Sequence, residues 1–262
     1  MMKSELTWRQ LVPLSITLTA MLCGFFSILV TVESMNETLA RAGEMHRWAA
    51  LLIMLAMILD GIDGNVARKL RGCTEMGAEL DTYVDMTAFG IAPAVLIYTV
   101  MLTGSLPQDN ARIFWRVAMT AVVVLSGVVR LARFKAKDPE RGQGGYTGLP
   151  ITACAGWVAM LVFISQSEPF ENYSLNSGWV AAIFITGVLA FISLQVSNVR
   201  YPKPTKHPAL FIPMVIMVAV LFGPQKIALP AAVFMILMVL GYICLGPLYM
   251  KHVSRRATPE EG

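Results

Sequence analysis

The chain has 262 residues, of which 56% are hydrophobic and only 15% charged, and its mean hydropathy is +0.61. A soluble globular domain with this composition would not stay dispersed in water, so that class is excluded and a polytopic membrane protein is predicted. The formal net charge is +4. Cations in the loops of such a protein attract anionic lipid headgroups.

Apolar runs of spanning length, roughly 17–25 residues each, follow one another along the chain. They predict an all-α fold of about eight transmembrane helices, near 11–32, 48–67, 82–103, 113–133, 148–166, 178–197, 208–224 and 227–250. The first run has full spanning length, so we expect it to be retained rather than removed as a signal peptide. The last two runs are close together in sequence, and a re-entrant pair is an alternative to two spans there.

Lysine and arginine are distributed unequally between the two sides that eight crossings define. Of the 21 lysines and arginines, the side opposite the termini holds only Arg41, Arg47, Arg112, Arg116 and Lys226. Loops rich in Lys and Arg stay in the cytoplasm. We therefore expect an integral protein of the cytoplasmic (inner) membrane, with both termini and residues 59–85 facing the cytoplasm.

Four aspartates lie at the edges of two apolar runs, although a charge in hydrocarbon is costly and usually functional. Asp60 and Asp63 are three residues apart and Asp81 and Asp85 four apart, so each pair shares one face of a helix. A helix break at Gly72 would fold the two arms into an antiparallel hairpin and bring the four acids to matched depth. Carboxylates this close need cations, and hard oxygen ligands suit Mg²⁺ or Mn²⁺.

The residues between the acids fit a phosphorylated ligand. Gly64 and Gly77 leave room on the two facing arms, and Ala67 keeps the face of Gly64 low. Arg68 offers a guanidinium fork to a phosphate. The pattern predicts a slot for a phosphorylated ligand beside two metal ions.

Two other classes of protein also bear on these acids. A divalent-cation transporter lines its path with intramembrane carboxylates, but the outer halves of the two acid-bearing runs are apolar here. A non-catalytic membrane scaffold would leave the acids without a role. The segment therefore favours an enzyme.

Along residues 60–85 the chain reads D-x2-D-G-x2-A-R-x8-G-x3-D-x3-D. This resembles the signature of the CDP-alcohol phosphotransferase family. The resemblance implies a six-helix catalytic core, which we place at 11–197, and the last two apolar runs form an additional C-terminal helical pair, 208–250. Since no long polar linker divides the chain, we expect a single membrane domain, 1–262. The resemblance also implies a homodimer, two divalent metal ions and displacement of CMP from a CDP-linked lipid by an alcohol.

The resemblance further implies a role for each matching residue. Asp60 and Asp81 would bridge both metals, Asp63 would complete one metal site and Asp85 the other. Asp85 would also be the catalytic base that accepts the proton of the alcohol. The residues expected to bind the CDP-lipid are Gly64, Ala67, Arg68, Thr74 and Gly77.

Stretches outside the signature resemble the membrane-embedded phosphatidylserine synthases of this family. They are CGFFSILV at 23–30, FGIAPA at 89–94, GLPI at 148–151 and SNVRYPK at 197–203. This resemblance implies transfer of the phosphatidyl group from CDP-diacylglycerol to L-serine. The chain differs from the usual subfamily pattern at Ala88 and Lys135, both at places where an acceptor could bind.

Candidate partners for the acceptor alcohol are arginines at cytosolic helix ends. Arg130, Arg133 and Arg200 are suited to the carboxylate of serine, although each is also explained as a cation that sets topology. Glycerol 3-phosphate or inositol phosphate would use the same cations. Choline would instead need an aromatic cage, for which Tyr83, Tyr98 and Tyr146 are available.

Overall fold

Helices occupy all eight predicted places. The structure, a computed structural model, describes residues 7–102, 110–137, 146–168, 170, 175, 178–202 and 208–257. Its helices are α1 (Trp8–Glu33), α2 (Leu39–Leu70), α3 (Glu75–Val84), α4 (Ala92–Leu102), α5 (Asn110–Lys137), α6 (Ile151–Ser165), α7 (Gly178–Val196), α8 (Pro208–Leu221) and α9 (Gln225–Ala257). A 3₁₀ turn, Ser34–Asn36, follows α1, and a π-helical segment, Asp85–Ile91, joins α3 to α4. The predicted all-α fold is confirmed.

Within the described residues, six helical segments are long and apolar enough to cross a membrane. They are Trp8–Asn36, Leu39–Leu70, Glu75–Leu102, Asn110–Ala136, Gly178–Val196 and Gln225–Tyr249. The predicted span at 148–166 becomes the 15-residue helix α6, and α8 is similarly short. At 1.5 Å per residue such a helix is about 22 Å long, less than the hydrocarbon thickness of a typical bilayer. α6 compensates by burial, because most of its residues lie inside the bundle.

Helix α1 packs along α2 and also contacts α3 and the π-helical segment. It therefore supports the helices that carry the four aspartates. Small residues allow the close approach: a Cβ on Gly24 would lie 2.6 Å from the Cβ of Ala88. Between α1 and α2, the Ser27 hydroxyl donates a 2.9 Å hydrogen bond to the Ala49 carbonyl. In a bilayer, small residues and interhelical hydrogen bonds are the main source of helix association.

The turn between α2 and α3 differs in detail from the prediction. The residue with left-handed backbone is Arg71, at φ 53°, rather than Gly72. The Gly72 N–H closes the helix end by donating to the Ala67 carbonyl at 2.9 Å, as in a Schellman motif. Gly72 is required for space, because a Cβ there would overlap the Arg9 carbonyl of α1. Within α1 that carbonyl has no N–H partner four residues on, because the residue there is Pro13.

A short antiparallel ladder lies beyond the C-terminal ends of α5 and α7. Strand β1 (Tyr146–Thr147) pairs with β2 (Arg200–Tyr201), with Tyr146 opposite Tyr201. The long helix α9 holds this ladder, because the Tyr242 hydroxyl donates a 2.7 Å hydrogen bond to the Pro202 carbonyl. Gly246 of the same helix packs against Pro202 and Tyr201. The C-terminal pair is thus attached to the segment that follows α7.

The packing of α6 on α7 gives a stability prediction. A Cβ on Gly187 would overlap the indole ring of Trp157, which also stacks on Phe191 at a centroid distance of 5.2 Å. We expect Gly187→Ala to lower the free energy of unfolding by about 1–3 kcal/mol, since overpacking forces a buried ring to move. Gly241→Ala is the matched control, because a Cβ there meets nothing within 4 Å. The midpoint of thermal unfolding of the purified protein measures both, and an equal midpoint for the two variants would contradict the prediction.

Candidate active site

Three of the four aspartates converge on one point. Asp60 and Asp63 come from α2 and Asp81 from α3, and each offers a carboxylate oxygen within 4.8 Å of those of the other two. Asp63 is buried, Asp60 is half-buried and Asp81 is exposed. The group therefore runs from the interior of the bundle to its surface.

The donor set of these three residues fits a divalent cation. All three side chains are carboxylates, the hard ligands that Mg²⁺ and Mn²⁺ prefer. At separations below 5 Å their negative charges repel strongly where water is partly excluded. A bound cation removes that repulsion. Among the described residues, no other three acidic, histidine or cysteine side chains bring their ligand atoms within 4.8 Å of one another.

The buried member of the group has a partner from α1. The Thr17 hydroxyl donates to Oδ2 of Asp63 at 2.5 Å, and both side chains are about 5% exposed. Thr17 was not predicted from the sequence. The sequence does show a hydroxyl residue in the apolar run VPLSITLTAM, which could have indicated a polar contact. It does not single out Thr17, because Ser15 and Thr19 are in the same run, and their hydroxyls bond only to carbonyls of their own helix.

Asp85 lies outside this group of three and has a different environment. It opens the π-helical segment Asp85–Ile91, and its Oδ2 is 3.8 Å from Nη1 of Arg130 on α5. The Arg130 side chain is 7% exposed and that of Asp85 is 16% exposed, so the ion pair is largely screened from water. π-helical turns are rare and occur often at functional sites.

The residues expected to bind the CDP-lipid, which lie between Asp63 and Asp81, differ in their surroundings. At Gly64 a Cβ would meet only the guanidinium of Arg68, at 3.5 Å, which leaves this face of α2 open. Nη2 of Arg68 donates to the Asn65 side chain at 2.7 Å, and Arg68 is exposed. Thr74 caps α3, since its hydroxyl accepts a 2.9 Å hydrogen bond from the Gly77 N–H. Ala67, half-buried, closes the end of α2 through its carbonyl.

The three candidate arginines for the acceptor are placed differently from one another. Arg130 is paired with Asp85, as described above. Arg133 donates through one Nη to the Val196 carbonyl and through the other to Oδ1 of Asn198 at 2.7 Å. Arg200 is exposed on β2, opposite Thr147. Arg130 is thus the candidate that the structure brings to an acid of the signature.

The two positions that differ from the subfamily pattern have structural contacts. Ala88 is fully buried against Gly24 of α1. Lys135 forms a 2.7 Å ion pair with Glu79, which joins the C-terminal end of α5 to α3. Ala88 therefore contributes to helix packing, and Lys135 to an exposed bridge.

The tyrosines considered for an aromatic cage do not meet at one point within the described residues. Tyr83 is 61% exposed. Tyr98 lies under the Arg116 guanidinium at 5.5 Å, thirteen residues beyond Asp85, which is about 20 Å along a helix. The side chain of Tyr146 is outside the described part of the chain.

Comparison with known proteins gives a consistent result. A family model described as CDP-alcohol phosphatidyltransferase matches residues 10–189. A Helicobacter pylori protein is 32% identical over 177 residues, which cover 66% of this chain and 70% of that protein. A Mycobacterium leprae protein is 29% identical over 246 residues, covering 90% and 73%, and a Methanocaldococcus jannaschii protein is 36% identical over 152 residues, covering 58% and 62%. All three relatives are named CDP-diacylglycerol–serine O-phosphatidyltransferase.

The carboxylate group gives a prediction on metal binding. We expect Asp60→Asn and Asp81→Asn each to weaken the binding of Mn²⁺ to the purified protein by at least about tenfold. Loss of a residue that only hydrogen-bonds to a metal ligand already lowers metal affinity by about that factor. The loss of one formal negative charge and one hard ligand is the physical reason. Titration of Mn²⁺ followed by electron paramagnetic resonance measures it. Glu79→Gln is the matched control, since this exposed acid of α3 pairs with Lys135 instead; an equal Mn²⁺ affinity in all three variants would contradict the prediction.

Proposed function

The chain belongs to the CDP-alcohol phosphatidyltransferase family, and we propose that it transfers the phosphatidyl group of CDP-diacylglycerol to L-serine and releases CMP. The convergence of Asp60, Asp63 and Asp81 within 4.8 Å is the observation that carries the chemistry. The names of the relatives from three distant microorganisms support serine as the acceptor. Family membership favours this transfer over a divalent-cation transporter, for which the acids alone would also have been suited.

We propose that Asp60, Asp63, Asp81 and Asp85 hold two Mg²⁺ or Mn²⁺ ions. When bound, such ions neutralise the pyrophosphate of the donor and stabilise the charge that develops on the departing CMP. The gradient of burial from Asp63 to Asp81 suits this role, because the buried acid is anchored and the exposed one faces the entering substrate.

The binding of the CDP-lipid is assigned to the face of α2 and α3 beside the acids. The open space at Gly64 lets a ligand approach the backbone of α2. The exposed Arg68 guanidinium is free to turn its fork toward a phosphate once it leaves Asn65. Ala67 and Gly77 keep the adjoining surface low. Thr74 acts in this proposal by fixing the start of α3 through its cap.

The reaction itself requires a base beside the acceptor hydroxyl, and we assign Asp85 to it. The serine hydroxyl oxygen attacks the phosphorus that carries diacylglycerol, and the bond from that phosphorus to the bridging oxygen breaks. The bridging oxygen leaves with CMP, and the hydroxyl proton passes to the Asp85 carboxylate. Arg130, at 3.8 Å, holds that carboxylate in place within the bundle. A base must lie within hydrogen-bond reach of the proton that it accepts.

Recognition of serine is assigned first to Arg130. A guanidinium is the best side-chain partner of a carboxylate, and Arg130 stands beside the proposed base. Arg133 contributes indirectly, since it joins α5 to the end of α7 and to Asn198. Arg200, on the adjoining strand, is the outer member of the three. Glycerol 3-phosphate and inositol phosphate, which would use the same cations, are the acceptors that the experiment must separate from serine.

The setting of the reaction is also part of the proposal. The chain is an integral membrane protein by the length and composition of its helices. We propose the cytoplasmic membrane, with the acids open to the cytoplasm and two copies of the chain in a homodimer. The catalytic core would comprise residues 11–197, and the pair at 208–250 would support the segment after α7.

The acceptor is tested by release of CMP from CDP-diacylglycerol by the purified protein with Mn²⁺. We expect CMP release to rise on addition of L-serine and to stay at the level without alcohol on addition of glycerol 3-phosphate, inositol phosphate or choline. Mass spectrometry of the lipid product provides the second measurement. Turnover with a different alcohol would disprove serine as the acceptor, and the absence of turnover with every alcohol would disprove the transfer.

The base is tested by Asp85→Asn, which keeps the shape of the side chain and removes its ability to accept the proton. We expect kcat to fall by about 10²–10⁴-fold, the usual contribution of a general base, while the affinity for CDP-diacylglycerol changes little. Thr87→Val is the matched control, since Thr87 is in the same π-helical segment and bonds only to the Tyr83 carbonyl, at 2.9 Å. An Asp85→Asn variant with the kcat of Thr87→Val would remove Asp85 from this role.

A further inference from the structure

Thr17 is a polar side chain in the middle of an apolar helix, and it reaches a proposed metal ligand. Its hydroxyl is 2.5 Å from Oδ2 of Asp63 and 3.0 Å from the Pro13 carbonyl of its own helix. Thr17 is 6% exposed and Asp63 is 5% exposed. The two residues are 46 positions apart, so only the packing of α1 on α2 brings them together.

The bond matters because the Asp63 carboxylate has little access to water. Rotation about the last bond of an aspartate side chain is soft, so a carboxylate without a fixed partner takes a broad range of orientations. A hydrogen bond to a charged acceptor is short and about twice as strong as one between neutral groups. The Thr17 hydroxyl therefore restrains Oδ2, and with it the orientation of the Asp63 carboxylate, one oxygen of which lies within 4.8 Å of those of Asp60 and Asp81.

The position of Thr17 is itself held at both ends of the α1–α2 contact. Toward the cytosolic end, the Arg9 carbonyl abuts Gly72, where α2 has just ended. Toward the other end, the Ser27 hydroxyl donates to the Ala49 carbonyl at 2.9 Å. Thr17 lies between these two contacts, so its hydroxyl is presented to Asp63 by a rigid pair of helices.

We propose that Thr17 is a positioning residue, which holds the Asp63 carboxylate in the orientation that binds the metal. Outer-shell hydrogen bonds to metal-binding carboxylates fix their orientation and contribute strongly to affinity. The inference rests on the metal site of the proposed function and adds to it a residue outside the signature segment.

The experiment compares three variants of the full-length protein in detergent. Thr17→Val keeps the branched shape and removes the donor. Thr17→Ser keeps the donor and removes the methyl group. Thr19→Val is the matched control, since Thr19 is exposed on the same helix and bonds only to the Ser15 carbonyl, at 2.7 Å. Mn²⁺ affinity is measured by electron paramagnetic resonance without substrates, and thermal unfolding is recorded for each variant.

We expect Thr17→Val to weaken Mn²⁺ binding by about 10–100-fold, with Thr17→Ser and Thr19→Val close to the unchanged protein. In CMP release, Thr17→Val should need correspondingly more Mn²⁺ for half-maximal rate and should recover most of its kcat at saturating Mn²⁺. A purely structural role would lower the unfolding midpoint without this recovery.

Three outcomes would overturn the inference. Equal Mn²⁺ affinity in Thr17→Val and Thr19→Val would show that the hydroxyl does not act on the site. If Thr17→Ser lost as much Mn²⁺ affinity as Thr17→Val, the effect would be due to packing of the methyl group and not to the hydroxyl. A failure of the unchanged protein to bind Mn²⁺ would overturn the metal site of the proposed function as well, and in this way the two failures are told apart.

Discussion

The mutual repulsion of the aspartates is the constraint on which the rest of this structure depends. Three carboxylate oxygens lie within 4.8 Å of one another, and one of them belongs to a buried residue. Water screens charges poorly there, so the repulsion between the carboxylates must be offset by other groups. The chain supplies a hydroxyl to Asp63 and a guanidinium to Asp85. Each comes from a different helix, α1 or α5. The acids are thus stable only as part of an assembled bundle, and their convergence follows from the assembly of α1, α2, α3 and α5.

Backbone irregularities place these groups, and each has an identifiable chemical cause. Pro13 leaves the Arg9 carbonyl without its usual partner, and this carbonyl meets Gly72 at the end of α2. Arg71 takes the left-handed conformation that reverses the chain. The π-helical segment then inserts extra residues into the turn that begins at Asp85, which changes the faces that the following residues present. Asp81 and Asp85 precede this change and keep the common face of a regular helix, since the Asp85 backbone N–H donates to the Asp81 carbonyl. On that face Asp81 joins Asp60 and Asp63, and Asp85 pairs with Arg130.

Much of this arrangement could be predicted from the sequence, because it depends on local and averaged properties. Hydropathy located all eight helical segments, and the spacing of the four acids about residue 72 anticipated that Asp60, Asp63 and Asp81 would come together. The π-helical segment was not predicted, since residues 85–91 read as an ordinary apolar helix, and the sequence does not show that Ala88 and Gly90 pack against Gly24 and Gly127. Thr17 was missed for a related reason. Its neighbours Ser15 and Thr19 have equivalent side chains, and only the rotation of α1 against α2 decides which hydroxyl meets an acid.

Tertiary contacts also connect the C-terminal part of the chain, which the family model does not match, to the residues around Asp85. The match ends at residue 189, within α7, whereas β2 and α9 lie beyond it. Arg133 joins α5 to the end of α7, one turn from the Arg130 that pairs with Asp85. From there β2 continues to Pro202, which the Tyr242 hydroxyl of α9 holds at 2.7 Å. A displacement of α9 would therefore move the end of α7 and strain the Arg133 contacts. Through α5 it would reach Arg130, so the C-terminal helix belongs to the framework that holds Arg130 beside Asp85.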